Sequence, residues 1–346
     1  MKFCRYGSAR LNRNDEQAGA GRNRNDEQAR AGRNACEQED ADMEKILTRT
    51  VEAGEDGSRA GSLLKSAFGL SRREISRLKF QENGILADGV RIRVDTVLRA
   101  GQVLSVCLRE KDTYCRLEET EGTLAVAYED GDVLVADKPA GMPVHPCGVH
   151  ERDSLANLVA AHYRDAGEES AVRPVGRLDI DTAGLVVFAK SRAAAARLFE
   201  QRREGVFRKT YLAWVEGKME PLEGILEVPI KKIGNAPIRM AADAKGMPAK
   251  TAYRTIEVRE EASLVEAKLF TGRTHQIRVH MAWAGHPLLG DPLYNPRYAG
   301  PAKEPPRAAL LAWRLTFRQP FTGQTIRLDS GEISAFHNRT EIFRRH

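Results

Sequence analysis

The chain has 346 residues, 42% hydrophobic and 6% aromatic, with a formal net charge of +6. That length suggests two or three units with a sizeable core, and no apolar run reaches the roughly 18 residues that a membrane helix needs. The opening "MKFCRYGSARLNRNDEQ" lacks an apolar signal-peptide core, and the five cysteines show no C-x-x-C spacing; both point to a reduced, cytoplasmic protein without a disulfide frame or zinc site. The basic excess suits a polyanionic partner.

Residues 1–42 are polar and repetitive. "NRNDEQA" occurs at Asn12–Ala18 and again at Asn23–Ala29, a period of eleven residues. An eleven-residue period also belongs to right-handed coiled coils, but those need an apolar seam, which this stretch lacks. The segment is expected to be a disordered extension ahead of Met43. From Met43 the pattern predicts one strand and then a helix. "LSRREISRLKF" carries a capping box, Ser71 with Glu74, and so starts a second helix. Ile75 and Leu78 share its apolar face, while Arg72, Arg73, Arg77 and Lys79 lie elsewhere around it. Six basic residues stand against one acidic between Arg59 and Lys79, which favours RNA or phosphate contact over a merely solvated face. "ENGILADGVRIRVDTVL" reads as strand, Asp88-Gly89 turn, strand, and "RAGQVLSVCLRE" as a further short strand. Residues 43–110, with a core at about 60–110, thus form a small α+β module. Residues 111–123 read as a linker.

Residues 124–346 form the larger unit. Strand patterns recur in "LAVAYEDGDVLVADKPAG", "GLVVFAKS", "KTYLAWVEG", "EGILEVPI", "KTAYRTIEV", "ASLVEAKLF", "LLAWRLTFRQP" and "TIRLD". Two stretches, "SLANLVAAHYRDAG" and "SRAAAARLFEQRREG", read as helices. The fold class expected is α+β: a large mixed, mostly antiparallel sheet with flanking helices, preceded by the small module.

Three stretches of the larger unit concentrate polar chemistry: "GRLDIDTAGL" from Gly176, "KTY" at Lys209–Tyr211, and "GRTHQIRVHMAWAGHPLLGDPLY" from Gly272. His275, His280 and His286 are badly spaced for a metal, with a gap of five where a helical H-E-x-x-H needs four. Thr274 is placed to cap a helix that ends at Gly285, with His275 and Arg278 on one face. Asp179 and Asp181 invite comparison with a retaining glycosidase, but both sit in one tight loop, whereas such carboxylates face each other across a cleft.

Together and in this order, the three stretches resemble the RluA-type family of pseudouridine synthases, whose catalytic motif is usually written H-R-L-D-x-x-T-S-G-L. "VADKPAGMPVHP" resembles the family's opening strand and loop. The small module, with its "LSRREISRLK" helix and "NGILADG" turn, resembles the RNA-binding module named after ribosomal small-subunit protein four. The resemblance runs from about Glu44 to about Leu315. It implies an isomerase that converts uridine to pseudouridine in structured RNA, acting as a monomer without metal or cofactor. Large-subunit ribosomal RNA is the substrate expected and transfer RNA the runner-up; a ribosome-associated binding protein that has lost catalysis is the competing class.

By the same resemblance Asp179 is the catalytic carboxylate. A carboxylate in a water-excluding pocket needs a nearby cation to stay charged, and Arg278 is expected to supply it by pairing with Asp179. Tyr211 is expected to stack on the target base, with Leu185 and Ile277 packing around the ring. Arg177 is expected to fill the space that a flipped base leaves. Arg273 and His275 join the substrate-binding set, as do Arg72, Arg73, Arg77 and Lys79 of the module. Asp181 is assigned to a solvated turn. The sequence departs from the family motif at Gly176, where His is usual, and at Ala183, where Ser is usual.

Overall fold

A computed structural model describes residues 38–115, 117, 120, 122–168, 170–235, 238–297 and 307–338. Strand β1 (Gln38–Thr50) pairs antiparallel with β4 (Val103–Cys115), and β2 (Ile85–Ala87) and β3 (Val90–Arg91) extend this sheet in the order β1-β4-β2-β3. Helices α1 (Ala60–Ser66) and α2 (Arg72–Phe80) cover it. The expected capping box opens α2: the Glu74 amide donates to Ser71 Oγ at 3.2 Å, and the Ser71 amide donates to the Glu74 carboxylate at 2.7 Å. Leu78 and Ile75 pack on a core of Leu63, Leu64, Ile85, Leu104 and Val106, leaving Arg72, Arg73, Arg77 and Lys79 exposed. The Asp88-Gly89 turn has positive φ at both residues, 50° and 76°, as a tight hairpin requires.

Two boundaries differ from expectation. β1 begins at Gln38, inside the segment expected to be disordered, and β4 continues to Cys115, inside the expected linker. Gln38 pairs with Cys115 at the far end of this ribbon. Main-chain hydrogen bonds hold such a ribbon and need no apolar side chains, so a polar sequence conceals it. Residues 1–37 of the expected extension, and residues 116, 118, 119 and 121 of the linker, lie outside the described residues.

The second sheet is large, mixed and mostly antiparallel, as expected. Its strands are β5 (Val126–Glu129), β6 (Val133–Lys138), β7 (Arg173–Pro174), β8 (Ala183–Ala189), β9 (Arg208–Glu216), β10 (Glu223–Leu226), β13 (Thr251–Val258), β14 (Ala262–Leu269), β15 (Leu310–Arg318) and β16 (Thr325–Asp329). The main path runs β10-β13-β14-β9-β15-β8-β6-β5, with β16 on β15 and β7 on β8; the β15–β8 pair is parallel. β6 and β8 are buried along their whole length, and their alternate residues serve two cores. Leu134, Ala136, Val186 and Phe188 pack with α3 (Leu155–Asp165) and α5 (Gln276–Trp283). Val133, Val135, Leu185 and Val187 pack with α4 (Arg192–Arg203). A short helix, α6 (Ile333–Asn338), closes the described chain. A hairpin of β11 (Ile230–Asn235) and β12 (Ile238–Ala242) was not foreseen, because its apolar and polar residues do not alternate. Among the described residues no helix is long and apolar enough to cross a membrane.

Named contacts join the two sheets. Arg197 on α4 donates to Glu74 at 3.2 Å, Lys45 pairs with Asp132, and both cations sit over the Phe321 ring, at 4.4 Å and 3.8 Å. Phe321 packs against the core of each sheet.

Candidate active site

A cavity of about 330 Å³ opens where the loop before β8, strand β9 and the start of α5 converge. Arg177, Asp179, Tyr211, Arg273, His275, Ile277 and Arg278 all line it. Residues distant in sequence are brought together as the resemblance implied. Asp179 is the one carboxylate among the described lining residues, against Arg177, Arg202, Lys209, Arg273 and Arg278. Such a cavity attracts an anionic substrate.

The loop that carries Asp179 is fixed through its main chain. The Thr182 amide donates to the Asp179 carbonyl at 3.1 Å, closing a turn. The Ile180 carbonyl accepts from the Gly141 amide at 2.8 Å and from Lys138 Nζ at 3.0 Å. Lys138, 0% exposed, also donates to the carbonyls of Pro139 at 2.9 Å and Met142 at 2.7 Å. Burial pulls this amine down to about 7 against the attraction of Asp181 and Asp179, while three carbonyl acceptors match the three N–H groups of its ammonium form. β8 then leaves the loop at Gly184, φ +109°, where a side chain would begin 2.3 Å from the Ala312 carbonyl of β15; only glycine permits that approach.

Arg278 is 2% exposed and has a second partner besides the expected one. Asp291 takes it in a two-pronged pair, with Nε at 2.8 Å and Nη2 at 2.7 Å, so that only Nη1 turns to Asp179, at 4.0 Å. Burial works against the cation, and Asp291, Asp179 and Asp181 together more than offset it. Asp291 is itself held by accepting from the amides of Leu293 at 2.9 Å and Tyr294 at 3.2 Å. Arg278 thus meets Asp179 as expected, and Asp291, which was not foreseen, aims the guanidinium.

Helix α5 starts later than expected. His275, not Thr274, is the N-cap, in a left-handed conformation with φ 56°, and no side chain caps the helix. Gln276 holds the turn instead. Its carbonyl oxygen accepts from the Arg273 amide at 3.0 Å and from Thr271 Oγ1 at 2.8 Å, and its amide donates to Lys250 O and Thr251 Oγ1, each at 3.0 Å. Tyr294 Oη accepts from the Met240 amide of β12 at 3.0 Å and shares a hydrogen bond with His275 Nδ1 at 2.8 Å. Burial, against the pull of Asp179, lowers the pKa of His275. The other two histidines of the motif are also engaged: His280 with Thr251 and the Val228 carbonyl, His286 with the Glu216 carbonyl.

Tyr211 and Lys209 are two apart on β9 and so face the cavity together. Burial pushes the Tyr211 phenol up to about 12, Arg202 opposing and Asp179 adding. Lys209 donates to the Leu185 carbonyl at 2.7 Å, and burial, with Arg202 nearby, pulls its pKa down to about 7. Leu185 was expected at the substrate ring. Its side chain instead points into the core beneath α4, and only its carbonyl meets the site, through Lys209. The strand's alternation decides this, since Leu185 shares a face with Val187. Asp181 was assigned to solvent but is half-buried, and burial raises its pKa against Arg278. Lys138, Asp291, Gln276 and Tyr294 were not singled out from sequence. Lys138 had a legible signal, a lysine that with Asp137 ends an otherwise apolar strand, and the other three lie inside the longest motif. The four basic residues of α2 do not line the cavity.

Comparison with known proteins shows the family. A family profile described as RNA pseudouridylate synthase matches residues 132–283. An uncharacterized RNA pseudouridine synthase of Bacillus subtilis strain 168, YhcT, is 36% identical over 274 residues, covering 79% of this chain and 89% of that protein. Ribosomal large subunit pseudouridine synthase D of Vibrio vulnificus strain CMCP6 is 33% identical over 312 residues, covering 86% and 95%. The solved structure of human RNA pseudouridylate synthase domain containing 1 shares the fold, with a TM-score of 0.50 and 23% identity over 61% of this chain and 85% of that one. The chain belongs to the RNA pseudouridine synthase family, in its RluA/RluD branch, and is thereby an isomerase acting on RNA.

Proposed function

We propose that this enzyme forms pseudouridine in large-subunit ribosomal RNA, with Asp179 as its catalytic carboxylate. The observation that carries the catalytic part is the one carboxylate among the described lining residues of a strongly cationic cavity, with Arg278 aimed at it from behind and Tyr211 beside it. The relatives named for the ribosomal large subunit support the substrate. In the reaction the bond from ribose carbon 1 to uracil nitrogen 1 breaks, the base turns, and carbon 5 bonds to the same ribose carbon. Nitrogen 1 gains a proton and carbon 5 gives one up, so the atoms of uridine are conserved. Asp179 acts at the reacting ribose and base, Tyr211 and Ile277 hold the ring, and Arg278 holds Asp179. Arg177, exposed at the mouth, takes the place of the flipped base. The exposed cations of α2 grip RNA outside the cavity, which is the part expected of the module at 43–110.

Pseudouridine mapping of total RNA from cells with and without the gene tests this. Sites lost from large-subunit ribosomal RNA are the expected result. Loss confined to transfer RNA overturns the substrate, and loss of no site at all overturns the catalytic reading.

A further inference from the structure

Arg202 lies on the last turn of α4, and its exposed side chain reaches the cavity wall. A Cβ placed on Gly176, which stands at φ +93°, would come within 2.5 Å of Arg202 Nη1 and 3.2 Å of Cζ. A Cβ on Gly272 would lie 3.8 Å from Nη2. The guanidinium thus spans the gap between the loop bearing Arg177 and Asp179 and the turn bearing Arg273 and His275. It lies 5.9 Å over the ring of Phe207, which immediately precedes the strand carrying Lys209 and Tyr211. Among the described residues no carboxylate pairs with it and no hydrogen bond holds it, although its charge bears on both Lys209 and Tyr211. Arg177, Lys209 and Arg273 stand around the same cavity, and Arg273 is spent only on the Pro248 carbonyl at 3.0 Å. Cations gathered so closely, with Asp179 as their one counter-charge among the described lining residues, repel one another until an anion joins them.

We propose that Arg202 is a substrate-binding residue that takes a backbone phosphate of the RNA strand carrying the target uridine, and that Gly176, a glycine already favoured by its φ of +93°, also leaves that guanidinium its place. The reaction assigned above supplies the substrate, so the proposal rests on that reading. Phosphate contacts fix register without reading sequence, and each contributes one counterion-release step to the salt dependence.

The test uses the full chain and large-subunit ribosomal RNA purified from cells lacking the gene. Binding and pseudouridine formation are followed from low to high salt for wild type, Arg202→Gln, Arg202→Lys, Gly176→Ala and the double variant Gly176→Ala/Arg202→Gln. Arg202→Gln is expected to weaken binding about tenfold and to reduce the slope of log affinity against log salt by about 0.7–0.9, the loss of one phosphate. KM should rise more than kcat falls. Arg202→Lys keeps the wild-type slope, because a point charge still serves a phosphate. Gly176→Ala weakens binding by displacing the guanidinium, and adds nothing in the double variant. An unchanged slope in Arg202→Gln overturns the phosphate contact, and additive effects in the double variant overturn the shared space. Wild type that binds this RNA but does not isomerise it defeats the assigned substrate, while the binding slopes still decide Arg202.

Discussion

Two regions gather arginines, and they hold them in opposite ways. In the cavity Arg278 is sealed from water, clamped by Asp291 and turned toward Asp179, so its charge is fixed in place before any substrate arrives. On α2 the four basic residues stand in solvent, and the helix that carries them is tied down by its single acid. Glu74 both closes the capping box and meets Arg197 of α4, with Phe321 beside Arg197 and Lys45. A buried cation with a two-pronged partner is an orienting device, strongly coupled to the fold. An exposed cation is an adhesive, screened by salt and replaceable.

The largest effect should come from the cavity. Asp179→Asn is expected to lower pseudouridine formation about a thousandfold or more, with the thermal melt kept close to wild type. Retained activity breaks the contrast outright, because the aimed charge would then have nothing to act on. Asp291→Asn comes next. It leaves Arg278 buried without its clamp, and a loss of about 3–5 kcal/mol in urea unfolding is expected, together with reduced kcat. A variant as stable as wild type would show that Arg278 does not need Asp291.

For α2 the expected loss is in affinity. Changing Arg72, Arg73, Arg77 and Lys79 together to Gln should leave urea stability within about 0.5 kcal/mol. RNA affinity should drop by about ten- to a hundredfold, and the salt slope should flatten by up to about three units. An unaltered slope would remove the helix from RNA contact. The smallest effect is acid sensitivity beneath the cavity. His280 is buried between Thr251 and the Val228 carbonyl, and burial lowers its pKa below the ordinary 6.5. The unfolded chain then binds the proton more readily, so stability is complete above pH 6.5 and falls as the pH drops below it. Denaturation at pH 7.5 and pH 5 should show that fall in wild type and a smaller one in His280→Gln. Equal losses in both would assign the acid response elsewhere.

The chemistry of the site was legible because it is carried by short contiguous stretches. The large antiparallel sheet was legible because apolar alternation marks most of its strands. What escaped reading depended on atoms that letters do not show. The far end of the β1–β4 ribbon is main-chain pairing under polar side chains. The placement of Leu185 hung on which face of β8 looks toward α4, a matter of one residue in register. Asp291 could not be distinguished from any Asp-Pro turn until folding set it thirteen residues beyond Arg278 and against its guanidinium. Lys138 was visible as an oddity, but its partners are carbonyls, which every residue possesses.

That last feature has a bearing on how such a site can change. The loop around Asp179 is anchored at the Ile180 carbonyl, by Lys138 and the Gly141 amide, while the Ile180 side chain faces outward and is 40% exposed. The anchor is indifferent to which amino acid supplies the oxygen. Position 180 can therefore be exchanged like a faceplate, presenting a new surface to a new RNA without moving the carboxylate next to it.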